Sequence, residues 1–198
     1  MKVSEIKFSD LDLNGSYTYA DYLKWEFDEK VELIKGKIFK ISPSPSRYHQ
    51  DICVNITTFF RNNFKGKNCI VYTAPSDVRL ISKGKKDEEI TTVVQPDVFI
   101  VCDSTKLDAK GCLGSPDLIV EVLSPFTADK DISKKFVLYQ EAKVREYWLV
   151  FPNEKIVEVF IMGADGFGIP RVYTELDEIP IHIFDKMQIS GKEVFEQW

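Results

Sequence analysis

The stretch Pro116–Tyr139, PDLIVEVLSPFTADKDISKKFVLY, constrains the fold of this chain more than any other. It opens on a β-rich run, Leu118 to Leu123, in which Glu121 is the single charged residue. Alternation puts Asp117, Ile119, Glu121 and Leu123 on one face of a strand and Leu118, Val120 and Val122 on the other. Pro125 ends that strand, and Thr127 or Asp129 can cap a helix that runs to Ala142. An isolated ionised glutamate among apolar neighbours is strongly disfavoured unless it is paired, protonated or bound to a cation. Glu121 therefore faces solvent on an edge strand, pairs with a structural Lys or Arg, or belongs to a site. A second carboxylate at a strand end with a basic residue nearby would decide for the site.

The preceding chain supplies candidates. Thr18 can cap a helix over TYADYLKWEF, with Tyr19, Tyr22, Leu23 and Phe27 at helical spacing. VELIKGKIFKIS reads as a β-hairpin turning at Lys35-Gly36, with Glu32 and Ile34 on one face of its first strand. Ser42-Pro-Ser-Pro-Ser breaks the chain before an amphipathic helix from His49 to Phe64, whose Ile52, Cys53, Ile56, Phe59, Phe60 and Phe64 follow the helical period. His49, in the first turn, reads either as a surface residue or as a contact to a substrate phosphate, and the surface reading is the one expected. Strands are expected over 69–74, 77–81 and 95–101, the last entered through Pro96, which lacks an amide donor and so belongs at a strand start. Asp97 then lies at the mouth of that strand and is the second carboxylate sought.

Beyond the central stretch, Asp131, Lys135 and Tyr139 form one row on the predicted helix at i, i+4 and i+8. EYWLVF and KIVEVFIM form a further hairpin through Pro152-Asn153, and a glycine-interrupted strand pair follows. The order of elements describes one mixed α/β or α+β domain over 1–198, with 1–16 as an N-terminal extension and the sheet centred on 69–162.

A formal net charge of -5 at pH 7 argues against a general coat for nucleic acid. It does not exclude a nucleic-acid enzyme, because carboxylates around a divalent cation count as negative in that tally. The basic runs at 65–67 and 83–86 read as solvated loops. Cys53, Cys69, Cys102 and Cys112 show no CxxC pairing, and the histidines are His49 and His182. That pattern argues against a zinc site and a disulfide framework and suits reduced thiols in the cytoplasm. No signal peptide or membrane span is expected.

Two neighbouring strands that bring Asp97 and Glu121 together would make a hard-oxygen site suited to Mg²⁺ or Mn²⁺. Lys135, on the helix after the Glu121 strand, is placed to hold or activate an attacking water. The residues Val31-Glu-Leu-Ile-Lys-Gly-Lys, Ser42-Pro-Ser-Pro with His49, Gln95-Pro-Asp-Val, Pro116-Asp-Leu-Ile-Val-Glu-Val-Leu-Ser-Pro, Asp131 with Lys135 and Tyr139, and Glu146-Tyr-Trp-Leu-Val recur here as an ordered set. Together they resemble the bacterial Uma family of restriction endonucleases, a branch of the PD-(D/E)XK nuclease superfamily, from about residue 17 onward.

The resemblance implies a restriction-endonuclease-like core, a central mixed β-sheet flanked by helices, with an N-terminal helix and β-hairpin. It implies Asp97 as the acid of the "PD" motif, Glu121 as the acid of the "(D/E)XK" motif, and Glu32 as a helper acid. The superfamily's usual lysine position is Leu123 in this chain, and the matching basic residue is Lys135 on the following helix, with Lys134 its immediate neighbour. The main-chain carbonyl of Val122 is a further expected ligand. Asp117 precedes the strand and reads as a turn residue. The expected activity is Mg²⁺- or Mn²⁺-dependent hydrolysis of DNA phosphodiesters by a cytoplasmic homodimer. The competing expectation is a catalytically silent nuclease fold that binds nucleic acid or a protein partner.

Overall fold

Alternating side chains of one strand contribute to both large cores among the described residues. In the computed structural model, which describes residues 7–41, 45–80, 86–124 and 128–198 (backbone alone at 128–132), the run Leu118–Val122 is buried throughout. Leu118, Val120 and Val122 face one core and Ile119 the other, as the period of two requires.

In chain order the elements begin with α1 (Tyr19–Tyr22), β1 (Val31–Ile34), β2 (Lys37–Lys40), α2 (Arg47–Phe64), β3 (Ile70–Thr73), β4 (Val78–Arg79), β5 (Val93–Val94) and β6 (Val98–Val101). They continue with β7 (Leu107–Asp108), β8 (Gly111–Leu113), β9 (Leu118–Val122), α3 (Ala128–Glu141), β10 (Glu146–Phe151), β11 (Ile156–Ile161), β12 (Arg171–Thr174), β13 (Glu178–Pro180), β14 (Gln188–Ser190) and α4 (Gly191–Val194). The larger sheet, ordered β12-β11-β10-β9-β6-β3, is mixed, because β9 and β10 run parallel across the α3 crossover while its other pairs are antiparallel. The hairpin lies in a separate sheet ordered β2-β1-β5-β4-β8-β7. Ile52, Ile56, Phe60 and Phe64 of α2 cover one face of the mixed sheet, and Leu138 and Tyr139 of α3 cover the other together with Val78, Leu80 and Val94.

The hairpin turns where expected. Ile34 pairs with Lys37, and both turn residues take positive φ, 49° at Lys35 and 80° at Gly36. The positive φ at residue 36 favours glycine, and a Cβ there would lie 2.5 Å from Ser16 Oγ, so the serine side chain would have to turn aside.

Two expectations are corrected. The first helix spans Tyr19–Tyr22 rather than the whole of TYADYLKWEF. Beyond it Trp25 stacks on Phe27 and meets Tyr17 edge-on, and this aromatic packing replaces a second helical turn. The reduced-thiol expectation also fails at one pair, since Cys69 and Cys102 are joined by a disulfide. Ile70 pairs with Val101, so the antiparallel register carries Cys69 and Cys102 opposite one another at the end of the ladder, although they are 33 residues apart in sequence. Cys53 and Cys112 are free and buried. The proposed caps Thr127 and Asp129, the Pro125 break, and part of the Ser42-Pro-Ser-Pro-Ser segment lie outside the described residues or side chains. No described helix is long and apolar enough to cross a membrane.

Glu146 is a buried carboxylate away from the central acids. It accepts Trp148 Nε1–H at 2.7 Å and the Ile183 amide at 2.9 Å, and so ties the segment before β14 to β10. Burial raises its carboxyl to about 7, against the lowering effect of these hydrogen bonds. A folded-state pKa above the unfolded one means that the native protein holds the proton more tightly. The stabilisation is therefore complete below pH 4.5 and is lost as pH rises through about 7. Glu146→Gln should flatten the pH dependence of unfolding free energy across that window; an unchanged slope in urea titrations at several pH values would contradict this account.

Candidate active site

Strand register brings two acids together before any side-chain chemistry is considered. Val98 pairs with Val120 in the antiparallel β6–β9 ladder, and one step further sets Asp97 opposite Glu121. The Val122 amide donates to Asp97 Oδ2 at 2.8 Å, which holds the aspartate against the end of β9. Glu32 arrives from the other sheet on β1, where Leu33 pairs with Val93 of β5, and its Oε1 accepts the Gln95 amide at 2.9 Å. The three residues Gln95-Pro96-Asp97 thus anchor one acid through an amide and carry another as a side chain.

Lys135 closes the group. Its Nζ lies 3.0 Å from Glu121 Oε1 and 3.0 Å from Glu32 Oε1. Tyr139, one turn later, donates to Glu121 Oε1 at 2.6 Å and lies against the same core as Tyr147. Lys134 points elsewhere, with its ammonium 4.2 Å from the centre of the Phe39 ring. Of the predicted row, Lys135 and Tyr139 meet the carboxylates, while the Asp131 side chain lies outside those described.

The electrostatics follow from burial and charge count. Burial raises the Glu121 carboxyl above its usual range; Lys135 pulls it down, and Asp97 and Glu32 push it up again. Burial alone would lower Lys135, yet the Glu121 and Glu32 carboxylates hold it above the ordinary lysine range, so it remains an ammonium donor. With all three carboxylates ionised and His49 neutral, the group with Lys135 carries two net negative charges, which one divalent cation would balance. The oxygen donors here, the carboxylates of Asp97, Glu121 and Glu32 with the Val122 carbonyl at the same strand end, are of the kind that Mg²⁺ or Mn²⁺ takes, although the three carboxylates do not close to within 4.8 Å of one another.

His49 corrects the sequence reading. Expected at the surface, it is buried, with Nε2 3.3 Å from Asp97 Oδ2. The first turn of α2, capped by Ser46 Oγ accepting the His49 amide, lies over the mouth of β6 where Asp97 sits. Burial disfavours the charged ring, but the hydrogen bond and charge of Asp97 outweigh it and raise the pKa above the ordinary histidine value. Asp117 is also more than a turn residue: it is buried, accepts the Cys102 amide at 2.8 Å and pairs with Arg145 at 3.1 Å.

Sequence reasoning missed Asp77 and Cys53. Asp77 accepts the Tyr19 hydroxyl at 3.0 Å, the Tyr22 hydroxyl at 3.4 Å and Gln95 Nε2 at 2.9 Å, and so braces the segment that holds Glu32. Burial, with the Asp77 charge adding to it, pushes both phenols well above their usual range and keeps them donors. No local pattern around residue 77 signals this. Cys53 Sγ lies 3.6 Å from His49 Nδ1; the signal available was their i, i+4 spacing on one helix face.

Similar proteins extend the comparison. A protein from Synechocystis sp. named as uncharacterized is 27% identical over 164 residues, covering 81% of this chain and 82% of its own. A crystal structure from Anabaena variabilis, described as "a putative nuclease belonging to DUF820", superposes with a TM-score of 0.72 at 18% identity, covering 90% of this chain and 97% of that one, and so shares the fold. The model of the Uma2 family, described as "Putative restriction endonuclease", matches residues 19–190. A mixed sheet that sets Asp97 against Glu121, with a family match over most of its length, means that this chain belongs to the Uma2 family.

Proposed function

We propose that this protein is a divalent-metal-dependent DNA endonuclease that hydrolyses phosphodiester bonds at the site formed by Glu32, Asp97, Glu121 and Lys135. The observation that carries the reading is the meeting of Glu32 and Glu121, from two different sheets, on Lys135 Nζ beside Asp97. Asp97, Glu121, Glu32 and the Val122 carbonyl would hold Mg²⁺ or Mn²⁺, which lowers the pKa of bound water and neutralises charge on the reacting phosphate.

The chain's own part is to place donors and exclude disorder. Lys135, kept protonated by its two glutamates, acts as a hydrogen-bond donor to the attacking water rather than as a base. Tyr139 holds the Glu121 carboxylate in one orientation, and the Val122 amide does the same for Asp97. In-line attack of water forms the new P–O bond as the P–O bond to the leaving sugar oxygen breaks; the water's proton passes to solvent and the leaving oxygen takes one up, with no covalent enzyme intermediate. Cutting both strands of a duplex calls for two such sites, and the working form is proposed to be a homodimer.

Purified protein should nick or cut plasmid DNA with Mg²⁺ or Mn²⁺ and lose the activity in EDTA. Glu121→Gln and Asp97→Asn should lower cleavage by ~10²-fold or more, in line with the loss of a group that stabilises charge in the transition state. Wild-type rates in both correctly folded variants would overturn the assignment. One observation favours the silent alternative: the Lys135 ammonium pairs with both glutamates, as a purely structural ion-pair network would. Calorimetric titration that detects no Mg²⁺ or Mn²⁺ binding would decide for that reading.

We place the reaction in the cytoplasm, where a DNA substrate resides. The Cys69–Cys102 bond runs against that compartment. Thiol titration of denatured protein, taken directly from cells under alkylating conditions, should find two free thiols where this bond is formed and four where it is reduced.

A further inference from the structure

Cys53 and His49 stand one turn apart on the face of α2 that overlies the mouth of β6. Cys53 Sγ is 3.6 Å from His49 Nδ1, and His49 Nε2 is 3.3 Å from Asp97 Oδ2. Taking one atom from each side chain, the three ligand atoms lie within 4.8 Å of one another, and among the described residues no other three His, Cys, Asp or Glu side chains come so close. Glu32 and Glu121 are not part of this group.

The donor set differs in kind from the oxygen site it adjoins. Sulfur, imidazole nitrogen and carboxylate oxygen together suit zinc and related borderline cations, whereas Mg²⁺ takes oxygen ligands in octahedral array. Tetrahedral bonds of about 2.0–2.3 Å separate neighbouring ligand atoms by ~3.3–3.6 Å. The short contacts use different nitrogens of the His49 ring, Nδ1 to Cys53 and Nε2 to Asp97, so the ring would have to reorient to offer one nitrogen to a shared ion, within a cluster whose ligand atoms already lie within 4.8 Å of one another. Cys53 and His49 are each buried, which shields a bound ion from water on the α2 side.

We propose that His49, Cys53 and Asp97 form a binding site for one thiophilic divalent cation of the zinc class, with its fourth position open. Ligation forms a sulfur–metal bond, releases the Cys53 thiol proton to solvent and changes no oxidation state. Binding does not depend on the nuclease reading. A consequence that does rest on it is antagonism: Asp97 belongs to both ligand sets, so a zinc-class ion in this site withdraws it from the Mg²⁺ site and stops cleavage.

Cobalt(II) titration of the full chain tests the site without reference to activity. The expected result is a thiolate-to-cobalt charge-transfer band at one equivalent. That band should vanish in Cys53→Ser, weaken in affinity by ~10-fold or more in His49→Ala, and persist in Glu121→Ala and Cys112→Ser. A folded wild type with no such band, or a band that survives Cys53→Ser, overturns the proposal and leaves a hydrogen-bonded Cys–His–Asp row. If the band forms and DNA is never cut, the metal site stands and the nuclease reading falls. If DNA is cut, Zn²⁺ should inhibit the wild type and lose ~10-fold or more in potency against Cys53→Ser; equal potency overturns the antagonism.

Discussion

Lys135→Ala is expected to abolish DNA cleavage and to make the protein markedly easier to unfold. Both effects arise from the same two contacts, the 3.0 Å pairs to Glu121 and Glu32. Removing a positioned hydrogen-bond donor from the reacting centre lowers rates by ~10²–10³-fold. Removing one partner of a buried ion pair leaves the other uncompensated and costs ~3–5 kcal/mol. The two effects separate on adding Mg²⁺, which should restore part of the lost stability by neutralising the three carboxylates, without restoring cleavage. Lys134→Ala is the control. That ammonium rests on the Phe39 ring, a contact worth ~0.5–1 kcal/mol at an exposed site, and cleavage should remain at wild-type rates. Denaturant titration alongside plasmid cleavage checks both variants; full activity in Lys135→Ala would remove the lysine from the site.

Trp148→Ala should give the largest loss of stability from a single change in the hydrophobic core, ~3–5 kcal/mol. Trp148 is fully buried, pairs in register with Val120 and Val159, and packs at 6.4 Å from the Phe60 ring of α2. It therefore joins the sheet that carries Glu121 to the helix that carries His49. Trp148→Phe keeps most of the volume but deletes the Nε1–H donor to Glu146, so it should lose the ~1–3 kcal/mol that attends a buried unsatisfied polar group. Pairing Trp148→Phe with Glu146→Leu should cost less than the sum of the two single changes, since the Trp148–Glu146 hydrogen bond is lost only once, while the Ile183 amide loses its acceptor in both Glu146→Leu backgrounds. Unfolding free energies that fail to rank the wild type above Trp148→Phe, and Trp148→Phe above Trp148→Ala, would contradict this packing account.

The elements that could be read from sequence are those whose pattern is local. Ile52, Ile56, Phe60 and Phe64 gave α2, and β10 and β11 follow the EYWLVF and KIVEVFIM runs closely because both flank a short polar turn. Glu121 stood out because a charge inside an apolar run calls for a partner, and the structure supplies Lys135 and Tyr139. What stayed hidden depends on long-range register. The Cys69–Cys102 pair follows from how β3 lies against β6, and the burial of His49 from where α2 crosses a strand end. Asp77, just before β4, lies one register step beyond the Val78–Val94 pair and braces Gln95 there, a contact that no spacing rule along the chain can express. The shortening of α1 is tertiary as well, because Trp25 and Phe27 gain more from stacking together than from helical exposure.

The link between β5 and β6 carries a further consequence. Val94 ends a strand of one sheet and Val98 begins a strand of the other, so the intervening Gln95-Pro96-Asp97 is a seam with no slack. A one-residue insertion there would leave both sheets able to form. Because strand side chains alternate, however, it would either turn residue 97 to the opposite face or pull the Gln95 amide away from Glu32. Insertions and deletions at this point are thus predicted to be far more damaging to the site than substitutions, and a tolerant length library should be depleted here while loops on the far edge of the same sheets vary freely. Chain length across three residues, as much as the identity of any acid, sets where the carboxylates meet.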